Sequence, residues 1–279
     1  MKKGQWYPGS MARAVNVLRQ DFKIIDLVVE LLDARIPISS RNPVFASLLD
    51  GKKHLILLHK ADRAEEAVTE RWLSYFQGMD LQSMAFSVHH SRYLKQLLRY
   101  LKGQEHNLRP TRLKRPLRMI FVGIPNVGKS TLINYFVHKA VTRTANQPGI
   151  TRGRQWIRIT PGLELLDTPG ILWPYLNEET AKPLAVVGAI PSGRIDLEEI
   201  ALWLIGLYIR KEKSDLLVKR YGDLQFDTTE KTLEAIGLSQ GCLQSSGNVD
   251  LGRAATLILR DFQGGVLGRM TLEDPPLGF

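Results

Sequence analysis

Apolar positions fall in short unbroken runs over the first part of the chain and at helical spacing over the last part. Lys23 to Leu32 carries Ile24-Ile25, Leu27-Val28-Val29 and Leu31-Leu32, a pattern that predicts a strand covered on both faces and ending in Asp33-Ala34-Arg35. A turn-rich stretch, Pro37 to Pro43, leads to a short helix, and His54 to Leu58 is a second apolar strand. Glu65 to Phe76 has helical spacing, Met84 to Ser87 reads as a third strand, and Arg92 to Leu101 as another helix. Leu117 to Val122 is then a strand, Lys129 to Val137 a helix, and Ile157 to Leu166 a strand pair. This alternation predicts an α/β domain, a parallel sheet with helices on its faces. Past about Tyr175 the strands stop. Asp196-Leu197-Glu198-Glu199 resembles a capping box opening a helix through Ile209, and Asp250 caps another through Phe262.

Two motifs give the alternation a function. Gly123-Ile124-Pro125-Asn126-Val127-Gly128-Lys129-Ser130 is a G-x-x-x-x-G-K-[ST] phosphate loop, with the required strand before it and helix after it. Glycine-bounded backbone N–H groups and a helix N-terminus cradle phosphates there. Lys129 is expected to bridge the β- and γ-phosphates, and Ser130 to ligate Mg²⁺. Val127, Gly128 and Thr131 complete the expected phosphate contacts. His59-Lys60-Ala61-Asp62, at the end of the second strand, has the form of a base-reading [N/T]-K-x-D element. The Asp62 carboxylate can accept from both N1–H and N2–H₂ of guanine, which adenine cannot offer, while the Lys60 stem covers the base. Ser87 and Val88, at the next strand end, are further base-side candidates. The base-reading element lies upstream of the phosphate loop, the reverse of the ordinary GTPase order, so the domain reads as circularly permuted.

Asp167-Thr168-Pro169-Gly170 is a D-x-x-G element at the end of an apolar strand. Asp167 is expected to hold Mg²⁺ through water, the Gly170 N–H to sense the γ-phosphate, and Thr151 to close on Mg²⁺ as the first switch threonine. Domain organisation follows: 1–175 a GTPase domain, with a base-reading half (1–108), a basic proline-containing linker (109–118) and the phosphate loop and switches (119–175). Residues 176–279 form a helical domain.

Composition narrows the partners. The 279 residues include 44% hydrophobic and 24% charged, as in a soluble globular protein, and the formal charge of +10 with a pI near 9.7 favours polyanions. Arg109 to Arg118, and Lys211-Glu212-Lys213 with Lys219-Arg220, are candidate RNA contacts, and Trp6 and Tyr7 could stack on bases. The single cysteine, Cys242, excludes an internal disulfide and fits a reducing compartment. No apolar run spans a membrane, and Met1 to Trp6 has neither a signal core nor an obvious transit pattern, so a monomeric cytoplasmic protein is expected. His89-His90 lacks companion ligands at zinc spacing.

Trp6-Tyr7-Pro8-Gly9-Ser10-Met11-Ala12-Arg13, Asp33-Ala34-Arg35-Ile36-Pro37, the phosphate loop, Pro148-Gly149-Ile150-Thr151 and Asp167 to Pro174 together resemble the RbgA/YlqF family, in matching order. These are circularly permuted ribosome-biogenesis GTPases with mitochondrial relatives. The resemblance implies a permuted Ras-like P-loop domain followed by a small rRNA-contacting helical domain. It further implies binding to a precursor of the large (50S) ribosomal subunit, and a mitochondrial matrix location for an organellar member. It implies K⁺ binding at Asn126, in support of hydrolysis. The chain departs from the family twice. His59 stands where the family has Asn, which bridges base and phosphate loop, and Ser10 stands where it has a His proposed to assist hydrolysis. Serine cannot act as an imidazole base or cation. Ile171 follows Gly170 where Ras-like enzymes place a water-orienting Gln, so intrinsic hydrolysis is expected to be slow. Two other readings stay open: a nucleotide-gated binding module without catalysis, and a P-loop ATPase or kinase.

Overall fold

The apolar stretch before Asp33, interrupted by Glu30, becomes a central strand of a six-stranded sheet. β1 (Leu27–Asp33) is buried at all seven positions. It lies between β2 (Lys53–His59) and β4 (Leu117–Gly123), parallel to both. A strand with neighbours on both edges and cover on both faces has no place for polar alternation. β3 (Gln82–Phe86) pairs with β2, and β6 (Leu163–Leu166) with β4, again in parallel. β5 (Trp156–Thr160) closes the far edge antiparallel to β6, across a turn at Pro161-Gly162, so the order is β3-β2-β1-β4-β6-β5. The structure is a computed structural model and describes residues 17–46, 49, 51–107, 115–141, 156–166, 178–191, 193 and 195–276.

Among the described residues, helices that accompany this sheet include α1 (Pro43–Ala46), α2 (Glu66–Gly78), α3 (Ser91–Asn107) and α4 (Lys129–Val141), and residues 17–22 are helical as well. α2 buries Val68, Thr69, Trp72 and Phe76, three or four residues apart, against Leu32, Ile56 and Leu58 of the sheet. Val28, Ile120, Val122 and Leu166 pack with Leu18, Phe22, Ile25 and Phe45 in a second cluster. Burying such clusters contributes about 25 cal/mol per Å² of apolar surface and outweighs local propensity.

The stretch 109–118 is more structured at its end than a linker reading implies. Both Arg115 terminal nitrogens donate to the Asp26 carboxylate (3.0 and 2.7 Å), which also accepts the Arg118 N–H at 2.9 Å. The Arg118 guanidinium covers the Trp156 ring and pairs with Glu164. These two arginines, expected as RNA contacts, are held by the sheet's own carboxylates; 108–114 lie outside the described residues.

The chain divides into two compact units, Leu176–Leu272 and Gln5–Tyr175 with Glu273–Phe279. The first is helical: α5 (Glu178–Val186), α6 (Leu197–Arg210), α7 (Ser214–Tyr221), α8 (Thr229–Ser239) and α9 (Leu251–Gly264). Asp196 caps α6 by accepting from Glu198 and Glu199 N–H, and Asp250 caps α9 by accepting from Arg253 N–H. Gly265 ends α9 in the left-handed region (φ 79°), which glycine enters without a Cβ penalty. Asp261 of α9 accepts from Arg220 and Tyr221 of α7, so the Arg220 of the expected basic run is committed inside the unit. Residues from Glu273 on belong with the sheet, not the helices.

Candidate functional site

The sheet register assembles the site before any loop is considered. Asp33 lies opposite His59, and Leu31 opposite Gly123, so the C-terminal ends of β1, β2 and β4 arrive side by side. Ligands of open α/β sheets bind at such strand ends. The order of motifs along the chain does not matter to this geometry, because three parallel neighbours deliver their C-termini to one rim in any connection order.

The phosphate loop starts from β4 with Gly123 at φ 154°, and a Cβ there would meet the Leu31 carbonyl oxygen at 2.5 Å. Asn126 (φ 57°) and Gly128 (φ 110°) turn the backbone through the left-handed region, aiming successive N–H groups inward as an anion nest. The Lys129 ammonium is buried within the turn and donates to the Gly123 and Ile124 carbonyls, both at 2.9 Å. It therefore sits where a bound phosphate would meet it. Ser130 and Thr131 are exposed on the first turn of α4, with Ser130 offering one hard oxygen suited to Mg²⁺. Ser10, Thr151, Asp167 and Gly170 lie outside the described residues.

The base-reading turn is bonded to this loop directly. His59 Nδ1 lies 2.7 Å from the Val127 carbonyl oxygen, so Nδ1 carries the proton and donates. The ring is buried, stacks on Phe86 and lies against Gly128, where any Cβ would strike it. His59 Nε2 is buried without a partner among the described residues. Burial pushes the imidazole pKa down to about 4, and the Val127 carbonyl only partly offsets this. The side chain is thus neutral at physiological pH. It makes a donor bridge to the phosphate loop, with an acceptor nitrogen left over.

Lys60, at φ 61°, donates to the Asn126 carbonyl and to Asp33 Oδ2, both at 2.9 Å. Asp33 is fully buried and also takes Arg35 Nε and a terminal nitrogen at 2.9 and 2.8 Å. Burial favours its neutral form, but Arg35 and Lys60 outweigh that and hold the carboxyl well below the usual carboxylate range. The sequence motifs assign no role to Asp33-Ala34-Arg35. An Asp at the end of a fully buried strand, two residues from an Arg, was the available signal. Asp62 is half-buried; burial opposes its charge most strongly, but a hydrogen bond from Ser87, a backbone hydrogen bond and the Arg63 and His89 charges together hold its pKa below the usual value. Ser87 Oγ also accepts the His89 N–H, fixing the turn that contains Val88. The Ala61 N–H is committed to the Phe86 carbonyl at 3.1 Å. Asp62, Ser87 and Val88 thus sit on adjacent strand ends, next to the loop that carries Asn126 to Ser130. No cluster of three His, Cys, Asp or Glu side chains among the described residues could hold a metal ion by itself.

A family model for a 50S ribosome-binding GTPase matches residues 118–221. The ribosome biogenesis GTPase A of Bacillus pumilus is 39% identical over 97% of this chain and 98% of its own length. This chain belongs to the ribosome biogenesis GTPase A family. The Priestia megaterium member is 38% identical over 97% of this chain and 96% of its own. The Thermotoga maritima YlqF crystal structure with GNP bound superposes with a TM-score of 0.70. It is 26% identical, and the match covers 94% of this chain and 98% of that one. As a ribosome biogenesis GTPase A relative, the chain is a P-loop GTPase with a circularly permuted α/β domain and a helical C-terminal region, and its nucleotides are GTP and GDP. No helix among the described residues is long and apolar enough to cross a membrane.

Proposed function

We propose that the chain binds GTP with Mg²⁺, hydrolyses it slowly, and acts on a precursor of the large ribosomal subunit as a nucleotide-dependent switch. The observation that carries this reading is the pair of bonds joining the base-reading turn to the phosphate loop, His59 Nδ1 to Val127 and Lys60 Nζ to Asn126. They align the guanine-reading Asp62, with Ser87, Val88 and the Ala61 turn, against the phosphate cradle of Val127 to Thr131. Lys129 neutralises the β- and γ-phosphates. Ser130 holds Mg²⁺ with Thr151 and, through water, Asp167; the Gly170 N–H reads the γ-phosphate. Asn126 is the candidate K⁺ ligand, and Ser10 takes the position from which the family's His serves hydrolysis. The α/β unit is the motor, the helical region 176–272 the expected RNA-contacting part, and the working species a monomer. Two nucleotide states with different affinity for the particle supply the switch.

Two measurements test this: co-sedimentation with large subunits in a GTP analogue and in GDP, and GTPase rates with and without subunits in KCl and NaCl. Preferential binding in the analogue and a rate raised by subunits in KCl are expected. Equal binding in both nucleotides would sink the switch, and equal rates in the two salts would remove the K⁺ role.

A further inference from the structure

The positive charge of this chain does not sit where a helical RNA-binding domain would need it. Residues 176–272 hold 11 of the 38 Lys and Arg but 13 of the 28 Asp and Glu, a net charge of −2. The rest of the chain, with 27 basic and 15 acidic side chains, carries a net +12. Within that remainder, one described helix is strongly one-sided. On α3, Arg92, Lys95, Arg99 and Lys102 recur at spacings of three, four and three, and all four are exposed. At 3.6 residues per turn they fall within an arc of about 80° and extend about 15 Å along the axis. Leu94, Leu97 and Leu101 occupy the opposite side and are buried.

A basic face is usually a solvated face, and solvated faces usually carry acidic partners one turn away. This one does not. The only acidic residue of α3 is Glu105, whose carboxylate lies on the inner side against Gly162. Lys95, Arg99 and Lys102 form no ion pair with a described residue, and among the described residues Arg92 donates to its neighbour Tyr93. By contrast, Lys211 and Lys213 flank Glu212, and Lys231 pairs with Asp227. A line of four cations that no described carboxylate neutralises repels itself, and a polyanion relieves that repulsion by counterion release.

We propose that the outer face of α3 is a docking surface for the phosphate backbone of structured RNA. The partner follows from the ribosomal reading above and rests on it; the surface is new to it. Two features favour RNA over an anionic membrane. The apolar side of α3 is consumed by the sheet, leaving nothing to insert between lipids. A rigid line of charges also suits phosphates at fixed intervals along a duplex. The contact would carry affinity and register, not sequence. It also places an RNA contact on the α/β unit itself, on the helix that directly follows the Ser87–Val88 turn.

The test uses the full chain, with Lys95, Arg99 and Lys102 all changed to Gln, and binding to purified large subunits in a GTP analogue over 50–300 mM KCl. A second variant, Lys211→Gln, Lys213→Gln and Lys219→Gln, removes the same charge from the helical unit. The α3 variant is expected to keep GDP affinity and thermal stability, and to bind subunits at least about 10-fold more weakly at 100 mM salt. Its log–log salt slope should fall by about 2–3, close to 0.9 per lost phosphate contact. Wild-type binding and slope in the α3 variant would overturn the proposal; so would loss confined to the helical-unit variant, which would place the whole contact on the helical region. Loss of binding to phosphatidylglycerol vesicles, with subunit binding retained, would replace RNA by a membrane and also overturn it. Failure of the wild-type chain to bind subunits in either nucleotide would instead bring down the ribosomal reading beneath it.

Discussion

His59 is held by its surroundings in both shape and charge state. The ring fits because position 128 has no Cβ and because Phe86 offers it a stacking face. It bridges to Val127 only with the proton on Nδ1, and a second proton on Nε2 would leave a buried cation without an acceptor. The folded-state pKa of about 4 lies below the ordinary value of 6.5. The unfolded chain therefore binds the extra proton first. The stability contribution of this group is complete above pH 6.5 and is lost as pH falls towards 4. Between pH 7 and pH 5 the loss is about 2 kcal/mol at 1.36 kcal/mol per pH unit. His59→Asn keeps an amide donor for Val127 and removes the titration. Urea unfolding at both pH values should show wild type losing about 2 kcal/mol more than the variant. Parallel pH dependence would show that the imidazole is not held neutral by burial.

Elements were legible where a periodic pattern met a stop signal, and less so where neighbours decided. β1 was readable from its apolar residues on both faces, interrupted only by Glu30, because a strand buried on both faces shows no apolar–polar alternation. The starts of α6 and α9 were readable to the residue, because Asp196 and Asp250 satisfy otherwise unpartnered N–H groups. Removing either oxygen, as Asp196→Ala or Asp250→Ala, should cost about 1 kcal/mol, read as a lower urea midpoint at unchanged slope. No loss in either variant would mean water replaces the cap without penalty. Other features had no sequence signal. That Arg115 and Arg118 turn inward to Asp26 and Glu164 depends on which carboxylates the sheet brings near them. The charged outer side of α3 was visible as a helix but not as a surface. Its meaning came from the acidic side chains that its described surroundings do not supply.

At the scale of the whole chain, permutation is usually described by where the ends move, and here the last residues matter as much as the first. After the helical unit the chain returns at Glu273 to the unit it left near Leu176. The Glu273 carboxylate accepts the N–H groups of Ile38 (2.9 Å) and Ser39 (3.2 Å), and its backbone carbonyl accepts Trp72 Nε1 at 3.0 Å. Arg71 pairs with Asp274 at 2.7 Å. The loop clasped in this way leads back to the site. Ser40 Oγ accepts the Asp33 N–H, Asp33 holds Lys60, and Lys60 holds the Asn126 carbonyl of the phosphate loop. Burial raises the pKa of Glu273 and disfavours its charge, so its two backbone bonds are what justify keeping an acid there. Glu273→Ala leaves two N–H groups to find other acceptors and should cost about 1–3 kcal/mol of unfolding free energy. If the clasp also steadies Asp33 and Lys60, GDP should dissociate measurably faster from the variant, although residue 273 lies outside the nucleotide site. A chain ending at Leu272 should reproduce both effects and add the loss of the Trp72 and Arg71 contacts. Unchanged stability in Glu273→Ala would show that the clasp is incidental. Lower stability with an unchanged GDP off-rate would show that it holds the fold without reaching the phosphate loop.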